Sequence, residues 1–576
     1  MENKDIVQLL SETADLMEVA GEDSFRIRSY RNAASIIASH PERICDIIFN
    51  PERKVSDIPG IGKGLSFVLT EICQRGSFER RDQMLAKYPA SALELLKIQG
   101  LGPKSIALLY EHYGVKTVDD LERICREHKL RELPRMGAKL EEKVLRGIET
   151  YRRSAGRFLL NFACRVADEL ITEMRALPGV ETVKPAGSLR RGRETIGDVD
   201  LLATGPGATE VLNYLVNHPK TQQVLGQGPN KASVLFGPER LQVDVRALPQ
   251  ESFGAAMQYF TGSKEHNVVL RTHALKQGFS LNEYGLFTLE NNERVAGARE
   301  EEIYERLGYQ WIPPELRENS GELEAAQNGT LPNLVRREDL RGDLHMHTIA
   351  SDGKATLREM AEAAAALGYE YIAITDHSKA LAMANGLNEE RVVAFAREVR
   401  ELNRDGLSLH VFSGLECDIL RDGAMDIAED ALAELDLVIG SIHSYFHLES
   451  PEMTDRLLRA LESPSLKILG HGTGRILLQR ESYSYDFERI AEEAARRGIA
   501  FEINASPERM DLSGPLVRAA KRKGCCFTIS TDAHLPKHLQ NIRFGVIMAR
   551  RGWLEASDVL NTKPLPEFKN AIGAQK

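Results

Sequence analysis

Two aspartates that lie one residue apart, Asp198 and Asp200, occupy the run GDVDLLAT. Alternation along a strand would point both carboxylates to one face. Paired hard oxygen ligands on one face suit two Mg²⁺ ions that hold substrate phosphates between them. Asp244, in the strand-like run LQVDVRAL, is placed to complete the site and to help deprotonate an attacking hydroxyl. The three carboxylates therefore predict metal-dependent phosphoryl chemistry.

A turn that could bind phosphate precedes this pair in the stretch GSLRRG. Gly187 and Ser188 supply a turn and a hydroxyl, and Arg191 supplies a guanidinium that suits a triphosphate. An Asp-x-Asp pair by itself more often lies in a surface loop. Preceded by Gly-Ser-x-x-Arg-Gly at this spacing, it indicates a nucleotidyltransferase.

The C-terminal half carries a second set of ligand-type residues, each placed where a predicted strand ends. Imidazoles and carboxylates together suit Zn²⁺, Mn²⁺ or Fe²⁺, and Glu416 is placed to bridge two ions. A single histidine is more often structural or exposed, but that explanation does not account for one predicted strand after another ending in such residues. The set is His345, His347, Asp352, His377, Glu416, His443, His471, Asp532 and His534.

Two segments near the N-terminus share one pattern, IPGIGKGLS at 58–66 and IQGLGPKSI at 98–106. In each, paired glycines allow a tight turn that exposes backbone N–H groups at a helix start, where a DNA phosphate can bind without base reading. One copy would as readily be a plain turn between helices, but two favour DNA binding; LPRMGAKL at 133–140 is a poorer third copy. The expected DNA contacts are Gly60, Gly62, Lys63, Gly100, Gly102 and Lys104.

The composition excludes several classes of protein. With 42% hydrophobic and 27% charged residues the chain is neither disordered nor fibrous, and its 576 residues exceed what one core usually fills. The net charge of −10 arises in the C-terminal half, since residues 1–300 hold 41 Lys and Arg against 40 Asp and Glu, while residues 301–576 hold 33 against 44. DNA contact through local basic patches therefore stays open.

Targeting and redox signals point to the cytoplasm. The N-terminus lacks the apolar core of a signal peptide, and no apolar run reaches the roughly 18 residues of a membrane helix. The seven cysteines are scattered and contain no CxxC pair, which predicts reduced thiols.

The elements that must position these residues follow from apolar periodicity. Residues up to about 150 show helical spacing with Gly-rich turns, whereas 158–318 mixes a long helix with short β-branched runs. Segment 319–334 is polar, contains Gly and Pro, and predicts a linker. From residue 341, seven strand–helix repeats predict a parallel α/β barrel, one unit short of the eightfold form, with functional groups at the C-terminal strand ends.

The sequence up to about residue 318 resembles the family X DNA polymerases of the polymerase beta type. The resemblance is carried by YRNAAS, the two glycine turns, GSLRRG with DVD, VDVR, YFTGS and THALKQGFSLNEYGLF. It implies a helical helix-hairpin-helix part followed by an α+β nucleotidyltransferase palm and thumb. By the same resemblance, Asp198, Asp200 and Asp244 would bind the catalytic Mg²⁺ or Mn²⁺.

The resemblance also implies a nucleotide-binding set. It places Ser188 and Arg191 at the triphosphate, Asn267 at the incoming base and Arg271 at the template, with Gly187, Gly197, Tyr259, Phe260 and Gly262 completing the pocket around the nucleotide and its sugar. For the two aromatic residues, plain core packing is the alternative.

One departure concerns the 5′-deoxyribose phosphate lyase activity of some family members, which uses a lysine nucleophile in the helix after the first glycine turn. Counting from Pro59 and Gly60, the matching position is Val68, which has no amine. Arg26 could replace a phosphate-binding lysine but not the nucleophile. We therefore expect binding of the 5′ end without lyase chemistry.

Residues 339–570 resemble the PHP (polymerase and histidinol phosphatase) domain through HxHxxxxDG, TDH, GxE, SIH, GH and DxH, with no ligand missing. The resemblance implies up to three ions, Mn²⁺ or Zn²⁺ with Fe²⁺ as a further candidate. It assigns His345, His347, Glu416 and Asp532 to one metal, Glu416, His443 and His471 to a second, and Asp352, His377 and His534 to a third. Bacterial and archaeal family X polymerases join the two modules in this order.

The predicted domains follow from these motifs. They are a helical domain with the first hairpin (1–85), a fingers-like domain with the second hairpin (86–155), a palm segment (156–250), a thumb segment (251–318), a linker (319–338) and the PHP barrel (339–576).

We therefore expect a DNA repair enzyme: a template-directed, gap-filling DNA polymerase with a metal-dependent 3′–5′ exonuclease, for which abasic-site endonuclease activity stays open. The alternatives are a PHP nuclease anchored by an inactive polymerase half, a non-catalytic DNA-end-binding scaffold, and a small-molecule phosphatase for the barrel alone. The three aspartates argue against an inactive polymerase half, and the two metal sites argue against a non-catalytic scaffold. The two hairpins argue against a small-molecule phosphatase. Expected partners are gapped or nicked DNA and dNTPs, without membrane association, for a monomeric protein.

Overall fold

The computed structural model describes residues 1–574 except positions 2, 41, 90, 97, 99, 135 and 155. It divides into two compact units, Met1–Ala155 and Gly156–Lys576. Among the helices of the described residues, none combines the length and the apolar character needed to cross a bilayer.

The first unit is built from helices, as the apolar spacing predicts. In the first helix, Ile6, Leu10 and Met17 recur on one face and are fully buried, the pattern that packs a helix onto a core. The helices are α1 (Asn3–Val19), α2 (Ser24–Ser39), α3 (Ile44–Phe49), α4 (Lys63–Arg75), α5 (Glu79–Lys87), α6 (Ser91–Leu96), α7 (Pro103–Tyr113), α8 (Val118–Arg126) and α9 (Ala138–Ser154).

Two cysteines of this unit depart from the expectation of reduced thiols, which was wrong for this pair. Cys45 of α3 and Cys73 of α4 form a disulfide, with their Cα atoms 5.5 Å apart. The two residues are 28 positions apart in the chain, so only the packing of α3 against α4 brings them together. Cys125, Cys164, Cys417, Cys525 and Cys526 are free thiols.

The palm segment folds as a sheet covered by helices. Its elements are β1 (Phe158–Leu159), α10 (Leu160–Arg175), β2 (Thr182–Pro185), α11 (Gly187–Arg190), β3 (Thr195–Ile196), β4 (Asp198–Thr204), α12 (Glu210–Val216), β5 (Thr221–Gln227), β6 (Lys231–Phe236) and β7 (Leu241–Ala247). The sheet order is β2-β4-β7-β6-β5, in which only the central β4–β7 pair is parallel. Helix α10 lies on one face of the sheet, where Leu170 packs in a core with Val199 and Val243.

The thumb segment follows, and the predicted linker folds with it. The elements are α13 (Phe253–Thr261), α14 (Lys264–Lys276), β8 (Phe279–Asn282), β9 (Gly285–Thr288), β10 (Arg294–Ala296), α15 (Glu300–Arg306) and α16 (Glu322–Asn328). Segment 319–338 is thus not an unstructured tether, because α16 lies within it. Leu323 joins the thumb core, and the buried Glu322 pairs with His266 at 2.7 Å. The prediction of a linker was wrong because the polar, glycine-containing composition of the segment gives no sign of these tertiary contacts.

The C-terminal part is the predicted sevenfold barrel. Its elements are β11 (Gly342–Asp343), α17 (Leu357–Ala366), β12 (Tyr371–Ile374), α18 (Glu389–Leu402), β13 (His410–Asp418), α19 (Glu429–Leu432), β14 (Leu437–Ser441), α20 (Ser450–Ala460), β15 (Leu466–Leu469), α21 (Phe487–Arg497), β16 (Ala500–Asn504), α22 (Gly514–Arg522), β17 (Phe527–Ser530), α23 (Ile542–Arg551) and α24 (Leu565–Ile572). All neighbouring strands are parallel and paired in sequence order. A parallel bridge between Met346 and Ala533 links the ends of the first and last strands and nearly closes the barrel.

Candidate active sites

The three aspartates of the palm segment meet on neighbouring strands. In the parallel register of β4 and β7, Asp200 lies opposite Asp244 and Asp198 opposite Gln242. Val199, between the two aspartates of β4, is fully buried in the core below the sheet, so the carboxylates point to the other face. The structure therefore brings the three predicted ligands together.

The electrostatics of this cluster suit a divalent cation. Burial, reinforced by the charges of Asp198 and Asp244, raises the pKa of Asp200 to about 7. Lys231 contacts Asp244 with its Nζ 2.6 Å from Oδ2, and Arg246 also offsets the charge of Asp200. Arg157 adds a third cation near Asp198. The three carboxylates on this face form a donor set of hard oxygens, which fits Mg²⁺ or Mn²⁺.

The glycine turn before β4 is shaped by its closeness to these carboxylates. Gly187 has φ +60°, and a Cβ on it would lie 2.4 Å from Oδ2 of Asp200. The backbone N–H of Ala186 donates to the carbonyl of Asp200 at 2.9 Å, which fixes the turn to the strand. Ser188 lies in the short helix α11 directly after this glycine. The turn therefore needs glycine, because any side chain would displace a carboxylate.

The two adjacent arginines of the turn have different partners. Arg190 donates to both oxygens of Glu300 in the thumb segment, at 2.9 and 2.8 Å. Arg191, the expected triphosphate ligand, places Nε 3.2 Å from Oε1 of Glu318 and donates to the carbonyl of Thr261. The sequence alone does not separate these roles.

The remaining expected nucleotide contacts lie around the start of α14. Tyr259 and Phe260 are partly exposed, with ring centroids 5.0 Å apart, so they are not wholly core residues. Asn267 donates from Nδ2 to the carbonyl of Tyr259 at 2.7 Å. Gly262 adjoins Arg191, and Arg271 is exposed one helical turn beyond Asn267. Gly197, directly before β4, lies beside Arg157.

The two glycine turns of the first unit have matching geometry. Gly60 and Gly100 have φ of +89° and +103°, the left-handed region that favours glycine. Gly62 and Gly102 then begin α4 and α7 as N-caps that form no side-chain cap hydrogen bond. Lys63 and Lys104 are exposed at these helix starts. Each turn thus presents backbone N–H groups and a lysine, as a phosphate site requires.

The ligand-type residues of the barrel converge at the C-terminal ends of its strands. Glu416 lies at the centre, where Oε1 is 2.8 Å from Nε2 of His471 and 3.2 Å from Nε2 of His443. Its Oε2 is 2.8 Å from Nδ1 of His377 and 3.5 Å from Nε2 of His345. The Nε2 of His347 lies 3.7 Å from the same oxygen, and Glu416 is itself 1% exposed, so five imidazoles surround one buried carboxylate.

The other ligands form clusters on either side. The Nε2 of His347 lies 3.1 Å from Oδ1 of Asp532, and His345 completes a group with them in which one ligand atom of each residue lies within 4.8 Å of the others. Two further groups with the same property are His347, Asp352, His377 and His534, and His377, Glu416 and His443. Relative to the implied assignment, the structure thus adds His347 to the third group and places His377 beside Glu416.

Unpaired buried atoms show that these groups fit metal ions. Among the described residues, His345 Nε2, His347 Nδ1, His377 Nδ1 and Glu416 Oε2 are buried and form no hydrogen bond of good geometry, although His377 Nδ1 and Glu416 Oε2 lie 2.8 Å apart. Burial, with the neighbouring imidazoles of His377 and His534, lowers the pKa of His347 to about 3, so this imidazole is neutral and free to bind a metal. Buried polar atoms without a hydrogen bond are costly in a protein interior unless a bound ion or ligand contacts them.

Known proteins and family models match nearly the whole length of the chain. Family models match a helix-hairpin-helix domain at residues 1–78, a SAM-like helix-hairpin-helix tandem at 92–150, the DNA polymerase beta thumb at 256–318 and the PHP domain at 343–506. The DNA polymerase/3′-5′ exonuclease PolX of Bacillus subtilis (strain 168) is 36% identical over 570 residues, 99% of each chain. The chain belongs to the family X DNA polymerases that carry a PHP domain.

More distant relatives match part of the chain. DNA polymerase lambda of Arabidopsis thaliana is 25% identical over 347 residues, 55% of this chain and 62% of its own, and that of Rattus norvegicus is 25% identical over 345 residues, 55% and 56%. A solved ternary P/T complex of Leishmania infantum polymerase beta covers 40% of this chain and 99% of its own, at 23% identity and a TM-score of 0.27.

Sequence reasoning missed several residues at both sites of this family X polymerase. In the palm these are Lys231 and Arg246, whose positive charges offset those of Asp244 and Asp200. In the barrel, Glu502 accepts from His345 Nδ1 at 2.6 Å, and Asp418 lies 3.2 Å from His443 Nδ1. The sequence signal for Glu502 was its position in a predicted buried strand, where an unpaired carboxylate is rare. Asp418 lies two residues beyond the predicted strand that ends at Glu416, and no sequence pattern marks it.

Proposed function

We propose that this family X polymerase fills gaps in DNA by template-directed nucleotide addition and removes 3′ nucleotides with its PHP barrel. The observation that supports the proposal is that candidate ligands gather in two places. Three aspartates lie on β4 and β7, and nine ligand-type residues lie at the barrel strand ends. The Bacillus subtilis relative, which matches over almost its whole length, is named for both activities.

In the palm, the residues bind and orient the reacting groups. Asp198, Asp200 and Asp244 would hold Mg²⁺ or Mn²⁺, which when bound offsets the charge that develops on the phosphate oxygens. Ser188 and Arg191 orient the triphosphate so that the α-phosphate faces the primer 3′-OH. Because Asp244 lies opposite Asp200 on the neighbouring strand, we place it as the group that helps to deprotonate that hydroxyl.

In the barrel, the residues divide into a buried centre and an open rim. His345, His347 and Glu416 are at most 1% exposed, whereas the side chains of Asp352 and His534 are 34% and 30% exposed. A phosphodiester would therefore enter from the rim. Mn²⁺ or Zn²⁺, with Fe²⁺ as a third candidate, supplies Lewis-acid activation of water and phosphate when bound. Abasic sites in DNA are a further candidate substrate.

The first unit would hold DNA through its two glycine turns, with gapped or nicked DNA and dNTPs as the substrates of a monomeric, cytoplasmic protein. The turns grip phosphates without reading bases, which suits an enzyme that acts at gaps of any sequence. We also propose the predicted domain boundaries, except that segment 319–338 belongs with the thumb segment and is not a separate linker.

A primer-extension assay with separate active-site variants tests this function. Asp200→Ala should slow addition to a one-nucleotide gap about a thousandfold, because several kcal/mol of charge stabilisation are lost, while 3′ degradation continues. His345→Ala with His347→Ala should abolish degradation and spare addition. In the wild type, degradation should be faster with Mn²⁺ than with Mg²⁺, because imidazole ligands prefer borderline ions, and chelation should stop it.

Matched controls are Asp168→Ala, an exposed carboxylate of α10, and His410→Gln, at the opposite end of the strand that carries Glu416. Both should leave both activities within about twofold of the wild type. Normal extension by Asp200→Ala would show that the carboxylate site is misassigned. Full degradation by the double histidine variant would exclude the barrel as the nuclease.

A further inference from the structure

The barrel contacts the phosphate-binding turn of the palm directly. Gly192, at the end of the GSLRRG turn, has φ +65°, and a Cβ on it would lie 2.2 Å from Cγ2 of Ile547 in the barrel helix α23. The turn that carries Arg191 therefore packs on the Ile547 side chain of α23, and a side chain at position 192 would have to displace it.

The same helix supplies a charge to this turn. Arg551, at the end of α23, donates from Nη1 to the backbone carbonyl of Arg191 at 2.9 Å and to Oε1 of Glu318 at 3.0 Å. Its side chain is only 4% exposed. One buried guanidinium thus fixes both the main chain of Arg191 and the carboxylate that pairs with the Arg191 side chain.

Glu318 is shared among three arginines. Its Oε1 accepts from Arg191 and Arg551, and Arg193 lies 3.7 Å from its Oε2. Glu194 is a second carboxylate near Arg551 and Arg193, and it also pairs with Arg475. Two carboxylates cannot neutralise four guanidinium groups, so positive charge remains at the turn. If Arg551 were absent, Glu318 would pair more fully with Arg191, and the triphosphate would have to compete with that pair.

We propose that Arg551 of the barrel is a positioning residue for the triphosphate site of the polymerase, which it serves by drawing Glu318 away from Arg191 and by holding the turn. This inference rests on the proposed function of Arg191. It assigns the PHP barrel a role in nucleotide binding that is separate from its own ligand clusters. The Arg551 side chain is buried against the turn and Glu318, and among the described residues it forms no hydrogen bond or ion pair with any of the nine barrel ligands.

Nucleotide affinity on gapped DNA tests the inference. Arg551→Met keeps the bulk of the buried side chain but removes one hydrogen bond to the turn, at the carbonyl of Arg191, and one to the carboxylate of Glu318. We expect a roughly tenfold or greater rise in the KM for dNTP, with kcat within about twofold, since charge-assisted bonds of this kind have that magnitude. Arg551→Lys can reach one acceptor at a time and should recover part of the loss.

A matched control lies one residue away. Arg550 also joins α23 to the thumb segment, with Nε 2.6 Å from Oε1 of Glu315, and its Nη1 donates to the carbonyl of Val335 and not to the turn. Arg550→Met should leave the KM for dNTP within about twofold. Exonuclease rate and barrel metal content, measured on each variant, verify that the barrel stays folded.

The double variant Arg551→Met with Glu318→Gln separates positioning from a merely structural role. If Arg551 acts by competing for Glu318, removing the charge of Glu318 should return the KM most of the way to the wild-type value. An unchanged KM in Arg551→Met, or equal losses in Arg550→Met and Arg551→Met, would overturn the inference. A double variant with a higher KM for dNTP than either single variant would also overturn it.

The dissociation constant of the dNTP, measured with a dideoxy-terminated primer, makes the result independent of turnover. A wild type that binds dNTP but does not extend primers would contradict the proposed polymerase and leave the inference testable by affinity alone. A wild type that binds no dNTP would contradict both.

Discussion

At the scale of single residues, the barrel ligands are held by carboxylates that are not ligands themselves. Glu502, on β16, is fully buried and accepts from His345 Nδ1 through Oε1 and from the backbone N–H of His471 through Oε2, at 2.6 and 2.7 Å. A carboxylate on one imidazole nitrogen fixes the ring so that the other nitrogen faces the metal. Glu502 therefore orients the Nε2 of His345 toward Glu416.

Glu502→Gln should weaken metal binding by the barrel about 10- to 100-fold, because the neutral amide no longer raises the basicity of His345. Competition for Mn²⁺ or Zn²⁺ against a calibrated chelator measures this without turnover. Glu508→Gln, an exposed acid in the loop after the same strand, should retain the wild-type affinity. Equal affinities for all three proteins would contradict the orienting role.

A second feature at this scale is Val68, which stands at the position where some family members have the lysine nucleophile of the lyase reaction. Val68 is half-buried and packs against the helical core of the first unit, whereas Lys63 is exposed at the start of α4. An imine needs a primary amine next to the sugar aldehyde, and valine offers none.

Borohydride should therefore trap little covalent complex between the protein and a 5′-deoxyribose phosphate substrate, as judged by gel shift of labelled DNA. Val68→Lys should raise trapping if the surrounding pocket tolerates the amine. Efficient trapping by the unchanged protein would contradict this prediction. In that case Lys63→Ala would identify whether Lys63 has taken the role.

At the scale of elements, a buried ion network joins the palm to the thumb. Glu300, the first residue of α15, accepts from Arg190 of α11 and from the fully buried Arg317, and also from the indole N–H of Trp311 at 3.0 Å. Burial by itself would raise the pKa of Glu300, but Arg317 and Arg190 hold it well below the usual carboxyl range. Removing one member of such a network leaves buried charges without a partner.

Glu300→Gln should lower the free energy of unfolding of this region by about 3–5 kcal/mol at pH 7. The chain has two tryptophans, and Trp311 contacts Glu300, so urea titration followed by tryptophan fluorescence reports on the network. Glu302→Gln, an acid of the same helix whose side chain is 32% exposed, should cost no more than about 1 kcal/mol.

The pH dependence of this contribution follows from the sign of the shift. A carboxyl whose pKa is lowered by folding stabilises the protein fully above its unfolded pKa of about 4.3, and the contribution falls as pH decreases toward the folded value. In the presence of chelator, the difference between wild type and Glu300→Gln should thus be constant from pH 7 to about 5 and shrink below about 4. A difference that grows on acidification would contradict the assignment.

At the scale of the whole molecule, the palm, thumb and barrel form one compact unit, Gly156–Lys576. The hydrophobic core of the palm continues into the barrel, since α10 and α23 contribute to one buried cluster. Arg475 of the barrel also lies 3.5 Å from Glu194 of the palm, beside the phosphate-binding turn. Such shared packing explains how a barrel residue can position a polymerase residue.

The sequence by itself determined the local patterns and the chemistry that they carry. Strand alternation placed Asp198 and Asp200 on one face, glycine pairs predicted the hairpin turns, and seven strand–helix repeats predicted the barrel with its ligands at the strand ends. These features depend on residues close together in the chain, where backbone periodicity alone sets direction.

Only the tertiary structure decided which distant residues become partners. The Cys45–Cys73 disulfide, Glu502 on His345 and Arg551 on Glu318 join residues that are 28, 157 and 233 positions apart. No local pattern marks such pairs, because a buried carboxylate or guanidinium is stabilised by whichever opposite charge the packing brings to it. The fold, and not the motif, therefore sets how the ligands are oriented and how the two halves of the enzyme touch.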